Sequence, residues 1–328
     1  MRALKLNSGN LGLDSEFTPI SMGDSEVLIR PLLLGVCRTD LELIKGYYPY
    51  QGVLGHEFVG EVVDGPVKWL GQRVVGEINA VCGHCLRCQK GEERHCQNRS
   101  VLGILGRDGC FADRFYLPEE NLHAVPDSVP DESAVFVEPL AAAFRVIEQC
   151  PPLKDQRWLV VGDGRLGQLV ARVVQSALSQ SDRFESVTVL GRHERKLKLL
   201  SSLGLDVTTD AEELLSPNLR GEGFDVAVDC TGNDLGFDLA RRALKPLGTL
   251  IMKSTYTGDL SCNASALVVD EIRLLGSRCG PFEPALEALA SGAVDPRDLV
   301  DLEMNLDRSV EALDKAGERG VMKVLIRP

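Results

Sequence analysis

The sequence predicts an α/β protein in two parts, a β-rich unit and a doubly wound parallel sheet, and three observations carry that expectation. Its 328 residues are too many for one ordinary core and suit two domains of roughly 100–200 residues each. Up to about Glu138 the chain breaks into short β-rich runs separated by turn signals, among them EVLIRPLLLGV, GHEFVGEVV, QRVVGEI and CFADRFYLP. From about Pro139 helical and strand patterns alternate, through AAAFRVIEQC, WLVVG, LGQLVARVVQSAL, VTVLG, DVAVDC and GTLIM, which is the texture of a doubly wound sheet. The end returns to strand-like pieces and one helix, in EPALEALASGAV, RSVEALDKAG and VMKVLIRP. The second unit, 139–276, is therefore read as inserted between 1–138 and 277–328 of the first.

Charge narrows the partners. A formal net charge of −12 repels polyanions, so neither nucleic acid nor an anionic membrane is expected as a partner, and a small molecule is. The opening MRALKLNSGNLGLD lacks an apolar core after its basic residue, and no run of about 18 apolar residues occurs. The expectation is a cytoplasmic protein. Ten cysteines could suggest disulfides, but four fall in one short segment, so reduced thiols and a metal are expected instead.

Those four, Cys82, Cys85, Cys88 and Cys96, form C-x2-C-x2-C-x7-C in VCGHCLRCQKGEERHC. Four thiolates satisfy a tetrahedral zinc with no open position, the condition for a structural site. Iron–sulfur centres also use clustered cysteines, but no Pro follows Cys96 and the flanks are β-rich, which favours zinc. A second group is drawn from distant segments: Cys37 in GVCRTDLELIKG, His56 and Glu57 in LGHEFVGEVV, and Glu138 in FVEPLAAA. A thiolate, an imidazole and a carboxylate together would leave a zinc one position for substrate. Taken singly they read as a small buried hydrophobe, a loop histidine and a helix N-terminal acid.

In WLVVGDGRLGQLVARVV, Gly162, Gly164 and Gly167 follow an apolar strand and open an amphipathic helix, with Arg165 and Leu166 between the last two. That is the dinucleotide fingerprint: a tight turn, close backbone approach to a pyrophosphate, and close helix–strand packing. An NAD-selective fold ends its next strand on an acid; in VTVLGRHERK the matching residue is Gly191, followed by Arg192, His193, Arg195 and Lys196. Cations there suit a 2′-phosphate, so NADP is expected, with NAD as the alternative.

Together C-x-T-D at Cys37–Asp40, G-H-E at Gly55–Glu57, the four-cysteine loop, E-P-L-A at Glu138–Ala141 and the fingerprint resemble the zinc-containing medium-chain alcohol dehydrogenase family, over nearly the whole chain and closest to its polyol, threonine and glucose branches. The resemblance implies a GroES-like catalytic domain joined to a Rossmann domain, two zinc ions per chain, and hydride transfer between an alcohol or polyol, or the matching carbonyl, and the dinucleotide. It implies Cys37 and His56 as catalytic zinc ligands, Glu138 as the third, directly or through water, and Glu57 beside the metal. Thr39 resembles the family hydroxyl that hydrogen-bonds the substrate oxygen and begins proton removal. Glu42 stands where many members carry a relay histidine and is a candidate to pass the proton on. Arg38 resembles residues that contact the pyrophosphate, and Thr231 and Gly232 those at the strand end beneath the cofactor. The family implies a homodimer or homotetramer. Tyr47, Tyr48 and Tyr50 could wall a substrate, with packing expected of at least two of them. The rival reading, from another class, is a non-catalytic dinucleotide-binding or sensor protein of the same fold.

Overall fold

In the computed structural model, which describes residues 1–23, 25–179, 187–215, 223–256 and 259–328, the chain divides into two units. The first contains Met1–Glu138 and Phe282–Pro328, the second Pro139–Pro281.

The first unit is built on a mixed sheet. Its order is Leu122–Ala124, Arg73–Gly76, Glu57–Asp64, Glu26–Gly35, Lys323–Arg327, Val300–Asn305, with Phe115–Pro118 also paired to Glu26–Gly35. The long strand Glu26–Gly35 is rich in Val, Ile and Leu, and it is the hub because it pairs with three others. Pro31 sits where the register with Glu57–Asp64 shifts, the position at which a sheet tolerates a missing amide. The C-terminal strand reaches this hub from far along the chain, pairing Leu325 with Gly35 and Ile326 with Leu34. On its other side the hub pairs Gly35 with Glu57. Three distant segments thus meet at Gly35. Short strands Asn79–Ala80, Ser100–Leu102 and Gly106–Arg107 form a separate sheet beside the four-cysteine loop.

The second unit holds six parallel strands in the order Asp206–Thr208, Val187–Leu190, Trp158–Val161, Phe224–Asp229, Leu244–Met252, Arg273–Gly276. Read by chain position this is the order 3-2-1-4-5-6 of the Rossmann sheet, so the α/β expectation of a β-rich unit plus a doubly wound sheet is met. Trp158–Val161 is buried at every residue, as a central parallel strand covered on both faces must be. Leu159, Val161, Phe224, Phe237 and Leu250 share one core cluster on this sheet. Among the described residues no helix is long and apolar enough to cross a membrane.

Candidate metal and cofactor sites

Cys37 closes the hub strand and caps the helix Arg38–Ile44. Asp40, three residues on, is wholly buried and gathers the surroundings. Its Oδ2 accepts the Cys37 amide at 2.9 Å, its Oδ1 accepts the Gly55 amide at 3.2 Å, and His56 Nδ1 lies 3.4 Å from Oδ1. One carboxylate therefore fixes both the helix start that carries Cys37 and the strand start that carries His56. Burial opposes a charge on the His56 ring, but Asp40 and Cys37 outweigh it and raise its pKa well above the ordinary imidazole value. A metal ion bound there would replace that proton, since ligation needs the neutral ring.

Cys37, His56 and Glu57 each present a ligand atom, and these atoms lie within 4.8 Å of one another. The half-buried Glu138 does not belong to this group. Glu57 is also ion-paired with Lys323, whose ammonium contacts Oε2 and lies 5.2 Å from the centre of the Phe136 ring. Both partners are buried, so each compensates a charge that would be costly alone. Lys323 was not anticipated from the sequence. The signal was available: a lysine in the otherwise apolar run VMKVLI, on a strand that the sheet buries.

The Thr39 hydroxyl lies 3.7 Å from the Cys37 sulfur. Arg38 and Glu42 pair with each other at 2.7 Å, and Lys45 adds a contact to Glu42 at 3.3 Å. Neither Arg38 nor Glu42 joins the metal-competent group. Only Tyr50 packs, with its hydroxyl donating to the Val53 carbonyl at 2.6 Å; Tyr47 and Tyr48 are exposed. The helix stops at Ile44 and the chain turns outward, so the expectation of two packing tyrosines fails.

The four cysteines form the other group. Their sulfurs are separated by 3.5 Å for Cys85–Cys88, 3.6 Å for Cys82–Cys96 and 3.8 Å for Cys85–Cys96. A tetrahedron with bonds of about 2.3 Å has edges of about 3.8 Å, so the spacing fits a zinc thiolate site. None is in a disulfide. Amides at Cys88 and Gln97 hold the Cys85 thiol down at about 6, whereas burial first, and the Cys85 sulfur next, push Cys88 up to about 12. Four thiols with no cation to spread their charge cannot all ionise, and a divalent ion removes that conflict.

In the second unit the glycine turn leads directly into the helix Arg165–Ser179. A Cβ on Gly167 would fall 2.0 Å from the Gly162 carbonyl oxygen, whereas one on Gly164 would meet nothing within 4 Å. That is the fingerprint's requirement: contact between helix and strand at the third glycine, open approach for a pyrophosphate at the second. At the neighbouring strand end, Asp229 is wholly buried and accepts the Thr231 amide at 2.9 Å and hydroxyl at 2.6 Å, with the Tyr256 hydroxyl also donating to it. Thr231 and Gly232 thus follow Phe224–Asp229, beside the central strand where the order of the sheet reverses. Arg192, His193 and Lys196 lie where Val187–Leu190 gives way to the helix Glu194–Ser201. Asp163, absent from the sequence-based expectations, reaches the same place.

The family model for the alcohol dehydrogenase GroES-like domain matches residues 23–127, and that for zinc-binding dehydrogenase matches 177–291. The chain is 31% identical to a sorbitol dehydrogenase of Halalkalibacterium halodurans, over 93% of this chain and 92% of that one. It is 34% identical to an L-threonine 3-dehydrogenase of a Chelativorans species, over 72% of each. Among solved structures, a zinc-binding dehydrogenase from Sinorhizobium meliloti, bound to NADP, superposes with a TM-score of 0.90 at 25% identity, covering 100% of this chain and 99% of that one. Galactitol-1-phosphate dehydrogenase from Escherichia coli shares the fold, with a TM-score of 0.89 at 23% identity and 100% of each chain covered.

Proposed function

Since this chain belongs to the zinc-containing medium-chain alcohol dehydrogenase family, we propose that its Cys37 group is the reacting centre and its four-cysteine loop a structural zinc site. The protein is a zinc-dependent oxidoreductase that moves a hydride between an alcohol or polyol, or the matching carbonyl, and a nicotinamide dinucleotide. In this reading 1–138 with 277–328 form the catalytic domain and 139–276 the dinucleotide domain.

Zinc held by Cys37, His56 and a carboxylate would supply Lewis acidity, lowering the pKa of an alcohol oxygen toward neutrality. Asp40 holds His56 in orientation for that task, as ligand histidines commonly require. Lys323 neutralises Glu57 and competes for its oxygen, so Glu57 is read as the neighbour that exchanges with water, and Glu138, which lies outside the 4.8 Å group, as the third ligand directly or through water. Thr39 accepts the substrate proton first, and Glu42, on the outer face of the same helix, passes it to solvent. Within the second unit Gly162, Gly164, Arg165, Leu166 and Gly167 receive the pyrophosphate, while Thr231 and Gly232 lie under the nicotinamide half. The exposed Arg192, with His193 and Lys196, favours NADP over NAD.

The observation that carries this reading is the convergence of a thiolate, an imidazole and a carboxylate within 4.8 Å, braced by one buried aspartate. A purely binding protein has no use for such a group. The test is a panel of polyols and secondary alcohols followed at the nicotinamide absorbance with both cofactors, alongside metal analysis. About two zinc per chain with turnover supports the reading; one zinc and no turnover on any substrate would leave the non-catalytic alternative. The protein is also read as cytoplasmic, because its metal loop needs reduced thiols. Self-association as a homodimer or homotetramer is supported by the edge strand Arg273–Gly276, near which Leu274, Val268 and Val269 are exposed.

A further inference from the structure

The residue between the first two glycines of the fingerprint has a built environment of its own. Asp163 is only 7% exposed. Its Oδ2 accepts the Arg192 amide at 2.8 Å and the His193 amide at 2.7 Å, and His193 Nδ1 lies 3.0 Å from Oδ2 and 3.1 Å from Oδ1. Those amides lead into the helix Glu194–Ser201, where free N–H groups would otherwise suit a phosphate. A Cβ on Gly191 would lie 2.7 Å from both Cβ and Oδ2 of Asp163. The carboxylate therefore fills the space that a side chain on the strand end would take. Burial pushes the Asp163 pKa up, but the His193 ring and the two amides outweigh it and hold the group below the usual carboxylate range. It is an anion at neutral pH.

NAD-selective folds place an acid at this strand end to accept the ribose hydroxyls. Gly191 cannot supply one, and the carboxylate arrives instead from the glycine turn. We propose that Asp163 is the residue that sets cofactor discrimination: it accepts a hydroxyl of the adenosine ribose and opposes a 2′-phosphate, so that the preference for NADP stays small and the chain takes NAD as well. The proposal rests on the dinucleotide reading above.

The charges argue for balance. Oδ2 is occupied by two amides, whereas among the described residues Oδ1 meets only the His193 ring, at 3.1 Å, and a carboxylate has about four acceptor positions in all. Room remains for a ribose hydroxyl. A 2′-phosphate brings nearly two further negative charges to the same spot and finds the amides already taken. Arg192 supplies the opposing attraction: its side chain is exposed and makes no hydrogen bond or ion pair among the described residues. Attraction from one residue and repulsion from its neighbour leave a small net preference.

Calorimetric binding of 5′-ADP and 2′,5′-ADP to the zinc-loaded, full-length protein tests this without relying on turnover. The wild type should bind the two within about tenfold of each other. Asp163→Asn should shift that ratio toward 2′,5′-ADP by about tenfold, the size of one screened charge contact, and Arg192→Ala should weaken 2′,5′-ADP alone. Asp163→Ser, with the fold checked by circular dichroism, should repeat the shift. A wild-type preference for 2′,5′-ADP beyond about a hundredfold, or an Asp163 variant that weakens both fragments equally, would overturn the proposal. Wild-type protein that binds neither fragment would instead remove the dinucleotide reading on which it rests.

Discussion

The four-cysteine loop draws its donors from one segment, residues 82–96, and all are sulfur, whereas the Cys37 group takes a sulfur from a helix cap and an imidazole and a carboxylate from a strand start. In the loop, Cys82 and Cys85 are half-buried near the surface and the sulfurs mostly contact one another. In the Cys37 group, His56, Glu57 and Asp40 are buried, with Asp40 bonded to the Cys37 amide and Lys323 paired with Glu57. The contrast fits the two roles proposed for these groups. A closed shell of like ligands needs only a turn to assemble it and leaves nothing for a substrate. An open shell of unlike ligands needs supporting residues that fix orientation, because a small displacement changes the chemistry.

Substitutions should separate the two sites, and the first should have the largest effect on turnover. Cys37→Ser is expected to lower kcat/KM by about a thousandfold or more, since several kcal/mol of Lewis-acid stabilisation are lost, while the loop keeps its zinc. Equal turnover in the variant would merge the two sites into one account.

Asp40→Asn keeps the size of the side chain but removes the charge that holds His56 and shares the Cys37 amide. Its affinity for the second zinc should fall by roughly ten- to a hundredfold, in the range reported for lost supporting carboxylates. Competition with a chelator measures it. Retention of wild-type affinity would show that His56 is held by packing alone.

Cys88→Ala should act in the opposite sense, lowering the thermal midpoint and zinc content while the folded fraction keeps kcat within roughly twofold, because structural zinc contributes folding energy and no coordination vacancy. Immediate loss of catalysis at unchanged stability would contradict the division. The smallest effect is expected at Glu42. Glu42→Gln should reduce turnover by roughly two- to fivefold, well short of a direct acid or base, and flatten one limb of the pH–rate profile. An unchanged profile would take Glu42 out of the proton path and leave it as the partner of Arg38 and Lys45.

The same contrast explains what could be read from the sequence. The cysteine loop was legible because its spacing is local. The strand–helix alternation was equally legible, and the parallel order of the second unit follows from it. Cys37 and His56 were found through motifs, since nothing local announces that a helix cap and a strand start will meet. Lys323 was missed because it lies 266 residues from Glu57, and only the sheet register at Gly35 brings them together. Asp40 was visible as part of C-x-T-D, but its three contacts depend on the fold. Asp163 occupies a variable position of the fingerprint, where sequence reasoning weighs the glycines and passes over the residue between them. Its reach to the next strand end is a fact of packing.

The central claim is that two zinc sites of different chemistry coexist in one unit. Zinc X-ray absorption on Cys37→Ser tests it most directly. The account predicts a single, purely sulfur shell at about 2.3 Å, against a mixed sulfur and nitrogen or oxygen average in the wild type. A variant that still shows nitrogen or oxygen neighbours around its zinc would contradict it.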